Sequence, residues 1–245
     1  MKYLDLTLST PAENLACDEV LLDECEARGT DEVLRVWEPK DYFVVLGYAN
    51  RAQTEANLEL CRAQSVPVFR RPTGGGAVLQ GPGCLNYSLI LKIPAADGSI
   101  TAINCAIMKR QRAALQKALA AGHAKFSPDE LSIAGVTDLA LAGEKFSGNA
   151  QRRKKEFLLF HGSFLLNFDL PHIDQLLPMP SKQPDYRGDR RHGEFLCNIG
   201  LPARALKTAL RLEWNATEER SSPSLDEIQA LARTKYSTTE WNFKF

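Results

Sequence analysis

The stretch from Phe69 to Leu91, FRRPTGGGAVLQGPGCLNYSLIL, sets an arginine pair beside three consecutive glycines, between two runs typical of strands. Glycine lets the backbone approach a ligand closely, and successive amide groups can form a concave site for an anion. A guanidinium adds bidentate contacts to phosphate or carboxylate. Because side chains alternate along a strand, we expect Arg71 rather than Arg70 to face a ligand. A hairpin turn with two solvated arginines is the alternative.

A second group of candidate residues lies in GEKFSGNAQRRKKEFLLFHGS, from Gly143 to Ser163. Lys145 stands between two glycine-bearing turns in a strand-like region. An ammonium group there could stabilise negative charge that develops on an acyl or phosphate oxygen. A solvated surface lysine is the alternative. The basic run from Arg152 to Lys155 lies in a predicted hairpin, which favours a solvated turn over a nucleic-acid contact.

The composition excludes several classes of protein for this chain. The chain has 245 residues, 30 basic and 30 acidic, so its formal net charge is zero. This balance argues against nucleic acid as the main partner. No apolar run approaches the roughly 20 residues that span a bilayer, and the first residues lack a secretory signal. Six cysteines without a CxxC pair predict reduced, mostly buried thiols in a cytoplasmic protein.

The hydrophobic pattern predicts an α+β fold in a single domain, with mixed or antiparallel sheets flanked by helices. Thr10, Pro11 and Glu13 predict the start of a first helix through a capping box. Separate strand-like runs follow, joined by helices over 54–64 and 101–122, the second expected to stop at Gly122. A capping box from Ser224 to Glu227 predicts a last helix. The Pro- and Gly-rich segment 178–194 is the strongest loop candidate.

Both motifs resemble the lipoate–protein ligase A family of the biotin/lipoate ligase superfamily. The resembling segments are RRPTGGGAVLQGPGCLNYSL and GEKFSGNAQRR…LFHGSFLL, and shorter likenesses occur in NLACDE, KQPDYR and KYSTTEW. They follow one another in the family's order across residues 1–245. The resemblance implies a biotin/lipoate-ligase-like catalytic domain without the C-terminal accessory domain that family members often carry.

The resemblance further implies an ATP-dependent ligase. It would join lipoate to the α-phosphate of ATP with Mg²⁺ and transfer the lipoyl group to a lysine of a carrier domain. Such a carrier would be the glycine cleavage H protein or the E2 subunit of a 2-oxoacid dehydrogenase, and a separate accessory subunit is a further possible partner. Lys145 would be catalytic, and the adenylate-binding residues would be Arg71, Gly74, Gly75, Gly76, Asn86, Ser147, Gly148 and Asn149. Asp138 is the candidate for a metal contact, with a plain turn residue as the alternative.

An apolar tunnel for the acyl chain is expected between Val44, Val45, Val78 and Leu79, which could equally be ordinary core. One departure from the family lies at Gln80, where relatives often have histidine. Glutamine still forms hydrogen bonds, but it cannot titrate near neutral pH.

Two other functions stay open at this point. An octanoyl or lipoyl transferase would move the acyl group between carriers through a cysteine thioester, which needs a partly exposed thiolate near a cation. No cysteine occurs between Cys105 and Cys197, and Cys84 is expected to be a small residue in a turn, so the cysteine positions favour the ligase. A non-catalytic lipoate-binding protein is the third possibility.

Overall fold

The structure, a computed structural model, describes residues 1–29, 31–96, 98–121 and 126–245. It confirms the α+β class, with sheets flanked by helices. The strands are β1 Lys2–Asp5, β2 Val33–Trp37, β3 Phe43–Leu46, β4 Val68–Arg70, β5 Val78–Gln80, β6 Cys84–Lys92, β7 Leu131–Ala134, β8 Asp138–Leu141, β9 Glu144–Arg153, β10 Phe157–Leu165 and β11 Glu218–Glu219. The helices are α1 Pro11–Arg28, α2 Ala52–Glu55, α3 Leu58–Ala63, α4 Ile100–Ala120, α5 Leu170–Leu176, α6 His192–Phe195, α7 Ala203–Glu213, α8 Leu225–Leu231 and α9 Thr239–Asn242.

Two sheets organise the described residues. The large sheet has the strand order β11-β1-β2-β6-β10-β9-β8-β7, and the small sheet has the order β4-β3-β5. The centre of the large sheet is antiparallel, since β6 pairs with both β2 and β10, and β10 pairs with β9. In the small sheet β3 runs parallel to β4 and antiparallel to β5. The glycine stretch connects β4 to β5 and therefore leaves the small sheet at one edge and returns at the other.

Alternation along the strands divides the core into layers. On β10, Phe160 packs on one face of the large sheet with α4 and α7, whereas Leu159 packs on the other face with α1. Phe43 and Val45 of the small sheet join this second cluster. A third cluster covers the far side of the small sheet together with α5. The small sheet thus lies over the α1-side face of the large sheet, and a cavity can form between them.

The N-terminal caps of two helices lie at the predicted residues. Thr10 accepts a hydrogen bond from the Glu13 amide, and the Glu13 side chain returns one to the Thr10 amide, as a capping box requires. At Ser224 only the first half is present, because its hydroxyl accepts from the Glu227 amide without the reciprocal bond. The helix expected over 54–64 is instead the pair α2 and α3. Gly122, the expected helix stop, lies outside the described residues. No helix in the described ranges is long and apolar enough to cross a membrane.

The basic run at the β9–β10 hairpin is paired with acidic residues of α1. Arg152 forms an ion pair with Glu19, and Lys154 forms one with Asp23. The Glu26 carboxylate accepts hydrogen bonds from the backbone amides of residues 155–157. The run lies at a hairpin as expected, but Arg152 and Lys154 are paired with α1 rather than fully solvated.

A buried ion pair fixes α1 on the large sheet. Arg35 of β2 donates to Asp18 over 2.6 Å, and its side chain is fully enclosed. Burial alone would raise the pKa of Asp18, but Arg35, then His161 and Ser88, outweigh burial and lower the pKa below its usual value. The carboxylate therefore stays ionised at neutral pH, and the pair stabilises the contact between α1 and the large sheet.

We predict that Asp18→Asn lowers the free energy of unfolding by about 3–5 kcal/mol, because it leaves a buried guanidinium without its counter-charge. The folded pKa of Asp18 lies below its unfolded value, so the stabilisation is present above the unfolded pKa and is lost as the pH falls through the folded pKa. Urea unfolding between about pH 7 and pH 3 measures both effects. Asp5→Asn, which removes an exposed partner of Lys207, is the control and should cost under about 1 kcal/mol. An equal loss in the two variants would contradict the assignment.

Candidate active site

One cavity of about 390 Å³ opens between the two sheets. Its volume lies within the usual range for a small-molecule site. The large sheet contributes Trp37, Asn86, Ser88, Lys145, Gly148, His161 and Ser163, and the small sheet and its connection contribute Phe43, Val45, Arg71, Gly75, Gly76, Val78 and Gln80. Lys145 and the glycine stretch, which lie more than sixty residues apart in sequence, thus face the same space.

A β-bulge directs Lys145 into this cavity. Across β8 and β9, Leu139 pairs with Ser147 and Ala140 pairs with Lys145, so Phe146 has no partner. The bulge changes the alternation, and Lys145 lies on the same face as Gly148. A Cβ atom on Gly148 would be 2.8 Å from Cε and Nζ of Lys145. The lysine side chain therefore lies across Gly148, and a larger residue at position 148 would displace the end of that side chain.

The ammonium group of Lys145 is held by Asp138 at the start of β8. Lys145 Nζ lies 2.9 Å from Asp138 Oδ1, and the hydroxyl of Tyr186 donates to Oδ2 over 2.7 Å. Both carboxylate oxygens therefore have a protein donor. No group of three His, Cys, Asp or Glu side chains able to hold a metal occurs in the described ranges. This donor set does not fit a resident Mg²⁺ ion, and Asp138 acts here as the partner of Lys145.

Arg71 shapes the glycine stretch rather than pointing freely at a ligand. Its Nη2 donates to the carbonyl oxygens of Gly74 over 2.7 Å and Gly76 over 2.8 Å, and its Nη1 donates to Val45 over 3.3 Å. Burial lowers the pKa of Arg71 to about 10, so the group is still charged at neutral pH. Gly74 does not line the cavity, whereas Gly75 and Gly76 do.

The carbonyl directions determine where the amides of the glycine stretch point. In a trans peptide the C=O and the next N–H point in opposite directions. Since the Gly74 carbonyl points at Arg71, the Gly75 amide points away from Arg71. The Gly75 carbonyl packs against Gly47, where a Cβ atom would be only 2.0 Å away, so the Gly76 amide points away from Gly47. None of the described residues accepts a hydrogen bond from either amide.

Arg70 points the opposite way, as strand alternation predicts. Its Nη1 donates to the carbonyl oxygens of Gly47, Tyr48 and Asn50, and its Nε and Nη2 donate to Asn242 near the chain end. The side chain is fully buried. Arg70 therefore ties the 47–50 turn to the C-terminal helix, and this turn in turn supports Gly75.

Gln80 and Asn86 form a polar pair in the cavity wall. The Asn86 amide donates to Gln80 Oε1 over 2.9 Å, and both residues are buried. Among the described residues, none accepts from the Gln80 amide nitrogen. Gln80 can therefore offer a further uncharged donor beside the glycine amides.

Ser147 and Asn149 line the cavity, but the bulge turns their side chains toward α4. The Asn149 side chain accepts from the Tyr87 hydroxyl over 2.6 Å and donates to the Thr137 carbonyl over 2.6 Å. It also occupies the space where a Cβ atom on Gly162 would lie, 1.7 Å from Asn149 Oδ1. These contacts support the strands beneath Lys145, and the predicted ligand contacts of both side chains stay predictions.

Apolar side chains and a polar floor complete the cavity. Val45, Val78 and Leu79 line it as expected, but Val44 packs in the third core cluster, because it lies on the far face of β3. The floor contains His161, whose Nε2 lies 2.7 Å from the hydroxyl of Thr73 and whose Nδ1 lies 3.5 Å from Asp18. Asp18 and His161 were not identified from the sequence, although each lies within a segment that resembles the family, NLACDE and LFHGSFLL.

None of the six cysteines lines the cavity. Burial raises the pKa of the Cys84 thiol to about 12 and that of Cys197 to about 12 as well. Cys84 packs in the third core cluster, in agreement with a structural role. Cys105 is exposed on α4. A thiolate nucleophile close to Lys145 is therefore not part of this site.

The 178–194 loop closes one side of the cavity. It contains a short 3₁₀ turn, Asp185–Arg187, and leads into α6. Pro180, Lys182 and Arg187 line the cavity, and Arg187 is buried. The composition of this segment predicted a loop. None of its residues was predicted to belong to the site, because no local motif there specifies a contact.

Comparison with known proteins assigns the family. A family model described as the lipoyl protein ligase A/B catalytic domain matches residues 10–200, which include all the cavity-lining residues named above. The chain belongs to this family. It is 28% identical over 269 residues to the octanoyltransferase LipM of Carboxydothermus hydrogenoformans, covering 100% of the chain and 98% of that relative. It is also 28% identical over 274 residues to the octanoyltransferase LipM of Bacillus subtilis, covering 99% and 98%.

Solved structures confirm the predicted fold. A lipoate–protein ligase A bound with ATP aligns with a TM-score of 0.77 at 25% identity, covering 99% of the chain and 98% of that structure. A bipartite lipoate–protein ligase from Thermoplasma acidophilum, described with its E2 lipoyl domain, aligns with a TM-score of 0.76 at 25% identity, covering 99% and 95%. The fold and the family are thus those that the sequence motifs indicated.

We predict that Gly148→Ala lowers catalytic turnover about as much as loss of the Lys145 ammonium, because the added methyl group would occupy the path of that side chain. The displaced atoms are the flexible end of a lysine, so stability should change by less than about 1 kcal/mol. Thermal melting and a carrier-acylation assay measure the two effects.

A double-mutant cycle is the control for this prediction. In a Lys145→Ala background, Gly148→Ala should cause no further loss, because the side chain that it displaces is already gone. An additional loss of about tenfold or more would show that Gly148 acts on something other than Lys145.

Proposed function

We propose that this chain is an acyltransferase that moves an octanoyl or lipoyl group from an activated donor to a lysine of a lipoyl carrier domain. The observation that carries the proposal is the shared cavity, in which the Lys145 ammonium and the Gly75 and Gly76 amides face a space walled by apolar side chains. An apolar cavity suits an alkyl tail. The cation and the free amides suit the oxygen of its carbonyl group.

The chemistry of acyl transfer explains this arrangement. When an amine attacks an activated acyl group, negative charge develops on the carbonyl oxygen, and fixed donors stabilise that charge. The new C–N bond forms as the bond from the acyl carbon to the leaving group breaks, and the amine gives up its proton. Arg71 and Gly47 fix the glycine stretch and Asp138 fixes Lys145, so the donors are in place before the substrate arrives.

The cysteine positions support direct transfer to the carrier lysine, without a thioester on the enzyme. A nucleophilic cysteine needs a partly exposed thiolate near a cation. The thiols of Cys84 and Cys197 are buried with raised pKa values, and Cys105 lies on α4 away from the cavity. Both carriers would then be bound at once during the reaction.

The relatives support a carrier-bound acyl donor as the first choice. Two relatives named octanoyltransferase match the chain over nearly its whole length. A transferase is the alternative that the sequence left open, although there it was expected to act through a cysteine thioester. The comparisons favour a transferase over the ligase first inferred. ATP-dependent ligation is a second candidate, favoured by the likeness to a ligase bound with ATP and by the absence of a cysteine from the cavity.

Mass measurement of a purified lipoyl carrier domain separates these functions. We expect a mass gain of one octanoyl group when the enzyme is mixed with an octanoylated donor carrier and no ATP. A gain that appears only with free lipoate or octanoate plus ATP would replace the transferase with the ligase. No gain in any mixture, together with measurable lipoate binding, would indicate a binding protein and contradict both enzymatic functions.

We predict that Lys145→Ala lowers the rate of carrier acylation by at least about a hundredfold, or about 3 kcal/mol of transition-state stabilisation. The matched control is Lys155→Ala, which removes an exposed lysine from the β9–β10 turn and should leave the rate unchanged. Initial rates from carrier mass spectra measure both variants. Near-normal turnover of Lys145→Ala would remove this residue from the mechanism.

We predict that iodoacetamide modifies the folded protein at Cys105 alone and leaves the transfer rate within about twofold. The buried thiols react slowly, because burial raises the pKa of Cys17, Cys84 and Cys197 to about 12. Peptide mapping identifies the modified residue, and Cys105→Ser is the control that should take up no reagent. A cysteine whose modification abolishes transfer, or an acyl thioester found on the enzyme, would contradict direct transfer.

A further inference from the structure

Asp138 connects Lys145 to the 178–194 loop. Its Oδ1 accepts from Lys145 Nζ over 2.9 Å, and its Oδ2 accepts from the Tyr186 hydroxyl over 2.7 Å. One carboxylate therefore joins a strand residue at the reaction centre to the loop that closes the cavity. Tyr186 lies in the KQPDYR segment, but no role in the site was predicted for it from the sequence.

The ring of Tyr186 is held firmly enough to orient its hydroxyl. It packs against Phe195 with ring centroids 5.2 Å apart. Gly135, whose φ of +54° lies in the left-handed region, gives it room, since a Cβ atom there would be 3.3 Å from Tyr186 Cε1. Burial, and then Asp138, raises the pKa of Tyr186, so the hydroxyl remains a donor at neutral pH.

The backbone of Tyr186 is fixed to the turn that precedes Lys145. Arg190 Nη2 donates to the Tyr186 carbonyl over 3.0 Å and to the Gly143 carbonyl over 3.1 Å. The loop and the β8–β9 hairpin are therefore tied together at two points, at the turn through Arg190 and at the start of β8 through Asp138. A movement of the loop would be transmitted to the Asp138 carboxylate.

We propose that Tyr186 is a positioning residue for the transfer reaction, which orients the Asp138 carboxylate so that it holds the Lys145 ammonium across Gly148. This inference rests on the proposed function, and it adds to that function the way in which the loop controls Lys145. A carboxylate with one fixed oxygen can present the other in a single direction. Without the hydroxyl, Asp138 turns about its side-chain bonds and Lys145 loses its fixed position.

Tyr186→Phe tests the proposal, because it keeps the ring and removes only the hydroxyl. We expect kcat for carrier acylation to fall by about tenfold or more, while KM for the acyl donor changes by less than about threefold. In a Lys145→Ala background, Tyr186→Phe should cause no further loss. A kcat within about twofold of the parent, or an equal loss in both backgrounds, would overturn the proposal.

The matched control is Tyr236→Phe. The Tyr236 hydroxyl also donates to a carboxylate, Glu19 Oε2 over 2.6 Å, but Tyr236 lies in the α1-side core and does not line the cavity. Its removal should leave kcat unchanged. Circular dichroism and melting confirm that each variant folds. Asp138→Asn provides a second test. It should lower kcat as much as Tyr186→Phe, and combining the two substitutions should cause no further loss.

Crystal structures of both tyrosine variants separate this proposal from the proposed function. In Tyr186→Phe we expect Lys145 Nζ to lie more than 4 Å from Asp138 or to occupy two positions, whereas Tyr236→Phe should keep the pair. This result would support the positioning role even if the parent enzyme transferred no acyl group. An unchanged Lys145–Asp138 pair in Tyr186→Phe would overturn the positioning role whatever the activity.

Discussion

The ion pair between Lys145 and Asp138, set across a glycine, is the interaction on which the site depends. A lysine ammonium is strongly hydrated and flexible, so it stabilises a developing charge well only when the protein fixes it beforehand. Here the β-bulge at Phe146 turns the side chain inward, Gly148 gives it a path, and Asp138 holds its end. Each of these features has a local structural cause.

The adjacent arginines provide the second half of the site by acting in opposite directions. Arg71 donates hydrogen bonds to the carbonyl groups of the glycine stretch, which leaves the amides of Gly75 and Gly76 free for a ligand. Arg70 binds the carbonyl groups of the neighbouring turn and of the chain end. Buried guanidinium groups that bond to backbone oxygens in this way make the loop rigid, and rigidity is what an anion site requires to avoid reorganisation during reaction.

Much of this arrangement could be predicted from the sequence, and the failures have specific causes. Alternation along β4 correctly separated Arg70 from Arg71, and the family motifs placed Lys145 and the glycines in one cavity. The bulge at Phe146 could not be read from a regular alternation, so the sequence did not show that the Asn149 side chain turns toward α4. The predicted ligand contacts of Ser147 and Asn149 stay predictions. The partner of Asp138 was also missed, because Tyr186 reaches it from a loop 48 residues further along the chain.

The same few atoms of the site would bind either of the two possible acyl donors. In the proposed reaction, a carrier thioester and an acyl phosphate would both present a carbonyl oxygen to Lys145 and place an apolar tail between the two sheets. The most direct measurement is a crystal structure with a stable octanoyl thioester analogue. We expect the acyl oxygen to lie within hydrogen-bonding distance of both Lys145 Nζ and the Gly75 or Gly76 amide, with the tail between Val45 and Trp37. An analogue bound outside this cavity, or with its carbonyl turned away from Lys145, would contradict the role proposed for Lys145 and the glycine amides.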